Sequence, residues 1–390
     1  MKQPSAFTAL LEAELDALAA IDRRRACPEA AGSSRVHPDI AGKPMLSFCS
    51  NDYLGLASHP ALAAAAAATA AHDGFGASAS RLVVGDLPAH RALEAALSSF
   101  LDRPAALVFP SGYQTNLGVV TALAGSDDLI VSDALNHASL VDGCRLSRAR
   151  VAVYPHGDAL AAHRLLAAGG PFRRRLLVTE SLFSMDGDTA PLAQLADAAA
   201  ATDSILVVDE AHAFGVLGPG GRGLCAAAGV APEVLIGTLG KAVGAAGGFV
   251  AGPGPLRDLL VNRARAFIFA TALPPPVAAA ATAAIGLISG PEGERLRALL
   301  ADRGQALGAA LVGRGLIVRA PSGPILPLLL GSEARALSAA SALRARGFFV
   351  PAIRPPTVPP GSSRLRITLS AAHEPDDVAR FAAALAEILS

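Results

Sequence analysis

Ile205-Leu206-Val207-Val208-Asp209-Glu210-Ala211-His212 runs from four apolar residues straight into residues that carry charge or protons. The apolar run suits a strand covered on both faces, as in the middle of a parallel sheet. Open α/β sheets bind their ligands beyond the carboxyl ends of the strands, which is where Asp209 and His212 stand. Singly, each has an ordinary structural reading, Asp209 as a helix N-cap and His212 as a satisfied buried imidazole. Three other segments argue for chemistry instead.

Toward the C-terminus, Ile236-Gly237-Thr238-Leu239-Gly240-Lys241-Ala242-Val243-Gly244 sets a lysine among small residues that let a bulky ligand approach the backbone. Lysine is scarce: Lys2, Lys43 and Lys241 are the whole complement. Lys2 is near the terminus and Lys43 lies in a turn between Gly42 and Pro44, so Lys241 is the chemical candidate. Toward the N-terminus, Pro110-Ser111-Gly112-Tyr113-Gln114-Thr115-Asn116 follows the apolar run Ala105–Phe109. A strand that turns through Ser-Gly into a helix offers free backbone N–H groups to an anion such as a phosphate. Asn136-His137-Ala138-Ser139 comes just past the run Asp128–Val131 and puts His137 where it could stack on a flat ring. A lysine for a Schiff base, a carboxylate for a protonated pyridine nitrogen, a histidine for a phenolate oxygen and a phosphate turn are what pyridoxal phosphate requires. The chain is read as a pyridoxal-phosphate enzyme with Lys241 as its Schiff-base residue.

Further apolar runs at Val151–Tyr154, Leu176–Thr179 and Gly248–Ala251 alternate with Ala/Leu-rich helical stretches. That alternation predicts a large α/β domain over residues 48–275 with a mostly parallel sheet. Leu273-Pro274-Pro275-Pro276 breaks the pattern. Beyond it, helices and strand-like segments at Leu326–Leu330, Phe348–Ile353 and Arg364–Leu369 predict a smaller α+β domain over 276–390. Residues 1–47 are expected to form an N-terminal helical arm, with helical periodicity over 6–25 that puts Leu10, Leu11, Leu15, Leu18 and Ile21 on one side.

Composition narrows the class. At 390 residues the chain exceeds one simple core, and 52% apolar content is ample to bury one. A formal net charge of zero argues against nucleic acid as a partner. No signal-peptide pattern is read at the N-terminus and the Ala-rich stretches are too short to cross a bilayer, so a soluble, cytoplasmic protein without membrane partners is expected. Cys27, Cys49, Cys144 and Cys225 form no Cys-x-x-Cys pair; reduced thiols and no metal site are expected. Gly218-Pro219-Gly220-Gly221-Arg222-Gly223 fits Gly-x-Gly-x-x-Gly but follows no strand directly, and is read as a flexible loop rather than a dinucleotide site. Gly240-Lys241 is not a P-loop, because Leu235 replaces its first glycine and Ala242 its Ser/Thr.

Five motifs carry a resemblance: Ser50-Asn51-Asp52-Tyr53-Leu54-Gly55-Leu56, Asp133-Ala134-Leu135-Asn136-His137-Ala138-Ser139, Phe183-Ser184-Met185-Asp186-Gly187-Asp188, Val208-Asp209-Glu210-Ala211-His212 and Thr238-Leu239-Gly240-Lys241. From about residue 20 onward the chain resembles the α-oxoamine synthases, which join an amino acid to an acyl thioester. The resemblance implies the fold-type I architecture, with a mostly parallel seven-stranded sheet and a smaller C-terminal domain. It also implies roles. Lys241 would be the Schiff-base residue and base, Asp209 the partner of the pyridine nitrogen, and His212 and Ser184 the partners of the ring oxygen. His137 would stack on the ring and touch substrate; Gly112, Tyr113 and Thr238 would surround phosphate and ring edge. Thr271, in Phe269-Ala270-Thr271-Ala272-Leu273-Pro274, would reach a neighbour's phosphate across a homodimer with shared sites.

Ala352-Ile353-Arg354-Pro355-Pro356-Thr357-Val358-Pro359 and Arg364-Leu365-Arg366-Ile367-Thr368-Leu369 resemble the branch of the family that condenses L-alanine with a pimeloyl thioester in biotin biosynthesis. Arg354 would then clamp the amino acid carboxylate, and Thr357 and Arg23 would contact substrate. Which of Arg23, Arg24 and Arg25 meets the acyl chain stays open, as does coenzyme A against acyl carrier protein as the thiol. The alternatives are a relative that uses glycine and a non-catalytic protein that binds the cofactor as a sensor.

Overall fold

Seven strands form the central sheet of the computed structural model, which describes residues 5–317 and 323–389 and so leaves Lys2 outside the described residues. In chain order they are β1 (Ala105–Phe109), β2 (Leu129–Asp133), β3 (Arg150–Tyr154), β4 (Arg175–Glu180), β5 (Ile205–Asp209), β6 (Val234–Thr238) and β7 (Gly248–Gly252). Their order across the sheet is β1-β7-β6-β5-β4-β2-β3. β7 is antiparallel to both neighbours and all other pairs are parallel.

The sequence pattern explains the placement. β1, β2 and β7 are buried along their whole length, as continuous apolar runs between helical layers must be. β3 lies at an edge and exposes Val151 and Val153. One strand of the sheet, β6, does not stand out in the hydrophobic pattern, because Gly237 interrupts its apolar run. The glycine has a packing reason: a Cβ there would lie 2.4 Å from the Phe249 ring of β7.

The C-terminal sheet joins Ile325–Gly331, Ser363–Thr368 and Ala352–Ile353. The segment Phe348–Ile353, expected as one strand, is split. Phe348–Phe349 pairs in parallel with Leu46–Ser47, and Ala352–Ile353 pairs with Ser363–Thr368. Pro351, between them, has no N–H to continue a ladder. The residues just after Leu46–Ser47 are stitched to the C-terminal sheet: Thr368 N–H donates to Phe48 O at 2.8 Å and Ala371 N–H to Tyr53 O at 2.8 Å. Phe48 stacks between His373 and Phe381, with ring centroids 4.2 and 3.9 Å away. Each such pair contributes about 1 kcal/mol beyond area burial. Helix Pro275–Ser289, which starts at the proline break with prolines in its first turn, packs on helices Pro60–Asp73 and Pro88–Leu101. The first helix, Ala6–Ala20, buries none of its residues; Leu10, Leu11, Leu15 and Leu18 are exposed.

The loop 218–223 is not a free flexible segment. Buried Glu210 accepts from the N–H groups of Leu224 at 3.1 Å and Cys225 at 2.6 Å, and from Ser181 Oγ at 2.7 Å. Gly223 has φ +97°, and a Cβ there would strike the Glu210 carboxylate at 2.7 Å. Its glycines serve a tight turn over a buried carboxylate. All four cysteines are free. No helix among the described residues is long and apolar enough to cross a membrane.

Candidate active site

The carboxyl ends of β1, β2, β4, β5 and β6 lie on one edge of the sheet, and the reactive side chains collect there. Lys241 follows β6 in a turn closed by Leu239 N–H to Gly247 O at 3.0 Å and Gly244 N–H to Lys241 O at 2.9 Å. Its Nζ lies 2.8 Å from His212 Nε2. His212 Nδ1 lies 2.7 Å from Tyr53 Oη, and Tyr53 donates its one proton to Asn51 Oδ1 at 3.1 Å. Those partners set the tautomer: Nδ1–H donates to Tyr53, and Nε2 accepts from Lys241. Burial, with the charges of Lys241 and Arg366, holds the His212 imidazole well below its ordinary range, so the ring is neutral.

Burial likewise lowers the Lys241 ammonium to about 8, against the opposing pull of Asp209 and Glu180 and with the help of Arg366. A lysine poised near 8 can serve as nucleophile and base at neutral pH. Asp209, at the end of β5, is buried and held on both oxygens. Asn116 Nδ2 donates to Oδ2 at 2.8 Å and the Ala211 N–H to Oδ1 at 2.8 Å. Asn116 also donates to Ser139 Oγ at 2.8 Å, and Ser139 lies 2.7 Å from His137 Nδ1. His137 caps the helix Ala138–Ser147 and accepts the Ser139 N–H.

The turn after β1 leads through Ser111 directly into a helix. Ser111 caps helix Gly112–Leu123, its Oγ taking the Gln114 N–H at 3.2 Å and its carbonyl the Thr115 N–H at 3.0 Å. The amides of Gly112 and Tyr113 precede these, as the orphan donors of a helix start. Close packing depends on two glycines. A Cβ on Gly112 would lie 3.2 Å from Thr238 Oγ1, and one on Gly248 would lie 2.4 Å from Thr115 Oγ1 and 2.6 Å from Gly112 Cα. The Tyr113 hydroxyl is turned to Asp142.

The structure adds participants that the sequence motifs do not mark as site residues: Asn116, Ser139, Glu180, Tyr53, Asn51 and Arg366. All lie in or beside motifs quoted above, so the signal was present, but single residues of polar motifs do not announce which partner they face. Arg366 is the most consequential. From strand Ser363–Thr368 its Nε donates to Ser184 O, its Nη1 to Asn51 Oδ1 at 3.1 Å and its Nη2 to Tyr53 Oη at 3.4 Å. Its charge acts on both Lys241 and His212.

The other expected substrate contacts form a second group. Arg354 Nη2 donates to Arg24 O at 2.8 Å, and its buried Nε has no hydrogen-bond partner. Arg25 donates to the carbonyls of Arg354 and Pro355, Arg23 pairs with Glu333 at 3.7 Å, and Arg24 pairs with Asp16 at 3.8 Å. Arg25 and Arg354 line a cavity of about 610 Å³ with Arg344, Leu337 and Ile353. Thr357 is exposed beside this group, its N–H bonded to Arg354 O. Thr271 is exposed.

Residues 43–385 match the profile of the aminotransferase class I and II family. A protein of Anaeromyxobacter dehalogenans named 8-amino-7-oxononanoate synthase is 52% identical over 381 residues, 97% of this chain and 94% of that one. A serine palmitoyltransferase from S. paucimobilis with a bound PLP–myriocin adduct has TM-score 0.91 and 28% identity over 99% of this chain and 98% of that one. An 8-amino-7-oxononanoate synthase of Francisella tularensis has TM-score 0.77 and 26% identity over 88% of this chain and 98% of that one. The chain belongs to the aminotransferase class I and II family and, within it, to the 8-amino-7-oxononanoate synthases.

Proposed function

We propose that the chain condenses L-alanine with a pimeloyl thioester, releasing carbon dioxide and the free thiol carrier and forming 8-amino-7-oxononanoate for biotin biosynthesis. The observation that carries this reading is the meeting, at one sheet edge, of a lysine poised near 8, a buried carboxylate held by two donors and a helix start. Those residues fit pyridoxal phosphate: the orphan amides suit its phosphate, and Asp209 suits a protonated pyridine. When bound, the cofactor supplies an electron sink conjugated to the amino acid's α-carbon.

Lys241 would hold the cofactor through Nζ, and the same Nζ is the base for the α-proton of alanine. Asp209, fixed by Asn116, would keep the ring nitrogen protonated. Gly112, Tyr113 and Thr238 would bind the phosphate. His212 and Ser184 would bond the ring oxygen, and His137 would cover the ring face. Arg366 adds a planar cation beside Lys241, suited to a carboxylate; Arg354 is the second candidate for that clamp. Arg23, Arg25 and Thr357 would meet the acyl donor.

The protein is further read as a homodimer. Phe75, Leu82, Val83, Val84 and Phe269 are each more than half exposed. Ala272 N–H donates to Ala79 O at 3.0 Å, which joins the two segments that carry them. Thr271 lies in the same joined region, so a partner seated there would receive its hydroxyl.

A turnover assay crossing alanine, glycine and serine with pimeloyl and acetyl thioesters tests the substrate pair. Carbon dioxide should appear one-for-one with free thiol for alanine with pimeloyl donor. Faster turnover of glycine with acetyl-coenzyme A would give the chain to the glycine-using relatives. Bound cofactor without turnover of any pair would favour a sensor.

A further inference from the structure

Glu180 is a buried acid for which the reaction outlined above has no task. It ends β4 and is the Cα partner of Asp209 in β5. Register partners in neighbouring parallel strands, about 4.8 Å apart, point to the same face. Glu180 is 2% exposed. Its backbone N–H is held by Asn136 Oδ1 at 3.1 Å, the backbone N–H of His137 faces its carboxyl group, and its Oε1 has no hydrogen-bond partner. The charges that face it are Asp209 from β5, Lys241 from the turn after β6 and Asp133 from β2.

Two neighbouring buried carboxyl groups do not both ionise readily when one cation serves them. The donors decide which one keeps its proton. Asp209 has two firm donors, one on each oxygen, whereas Glu180 leaves one oxygen bare. Burial pushes the Glu180 carboxyl up to about 8, the charge of Asp209 adds to the rise, and Lys241 and the His137 N–H oppose it.

We propose that Glu180 is a positioning residue that keeps its proton in the resting enzyme, so that Asp209 alone presents a negative charge to the ring nitrogen. The inference deepens the cofactor reading of this site and is tested on the apoenzyme, where the same carboxyl pair faces Lys241. The neutral acid sets the field in which Lys241 titrates. As pH rises through about 8, Glu180 loses its proton, and the second negative charge then holds the proton on Lys241 more firmly.

Two measurements on apoenzyme test this, and neither depends on turnover. The infrared difference between wild type and Glu180→Gln should show a protonated-carboxyl band at neutral pH that fades as pH rises through about 8. Carbon-13 labelling at lysine Cε gives only three lysine signals, so Lys241 can be followed directly. Its titration in Glu180→Gln should move to lower pH, because the second carboxylate can no longer form. If Glu180→Gln does not fold, Glu180→Asp should keep the band at a shifted position. No carboxyl band at neutral pH, or a Lys241 titration indifferent to the substitution, overturns the proposal. Failure of the cofactor reading would show separately, as an apoenzyme that takes up no pyridoxal phosphate.

Discussion

Lys241 ends a hydrogen-bonded chain that begins on the C-terminal sheet: Arg366 donates to Asn51 and Tyr53, Tyr53 accepts from His212, and His212 accepts from Lys241. The lysine's proton affinity therefore answers to residues far off in sequence. With the ammonium lowered to about 8, the neutral amine grows about tenfold per pH unit below that value and levels above it. The rate at which apoenzyme captures pyridoxal phosphate, followed by stopped-flow absorbance, should trace the same curve. A rate still climbing near pH 10 would mean an ordinary lysine. Arg366 and Arg354 make a second residue-scale contest. If Arg366 binds the alanine carboxylate, Arg366→Lys loses its planar fork and should lower kcat/KM for alanine by about 2 kcal/mol, or roughly thirtyfold. Arg354→Lys should cost less; the opposite order of losses would return the clamp to Arg354. The sequence placed Lys241, Asp209 and His212 in short motifs next to apolar runs, where they stood out. Arg366 did not, because it alternates with apolar residues in a strand and only the sheet-to-sheet contact shows what it faces.

Elements were legible where hydrophobic pattern alone decides them. Ala105–Phe109 forms a strand over the residues read, and the other apolar runs of the central sheet differ by one or two residues at their ends. The failures have local causes: Gly237 inside β6 and Pro351 inside the split segment. Glycines at element junctions make a sharper test. Gly248→Ala would push a Cβ against Thr115 Oγ1 and the Gly112 backbone, displacing the helix start proposed to meet the phosphate. Overpacking of this kind costs about 1–3 kcal/mol. Thermal denaturation should register that loss, and spectrophotometric titration should show weaker cofactor binding. An unchanged affinity would mean that the helix start is not the phosphate site.

At the scale of the whole molecule, the exposed apolar side chains of segments 75–84 and 269–272, with Thr271 among them, predict an isologous dimer. Sedimentation equilibrium should give twice the chain mass. Val83→Asp with Phe269→Asp should yield monomers that bind cofactor poorly, and Thr271→Ala should weaken cofactor binding while leaving the dimer intact. A fully active wild-type monomer would remove the shared-site reading.

By itself, the sequence determined the α/β class and set Lys241, Asp209 and His212 just past the ends of apolar runs. These follow from periodicity and from residues adjacent along the chain, so a linear reading can reach them. Tertiary structure alone decided that Asn116 grips Asp209, that Glu180 lies beside it in register, and that Arg366 joins the lysine through Tyr53 and His212. Those relations cross between elements and loops separated by tens to hundreds of residues, and local propensity carries no record of which buried polar groups will meet.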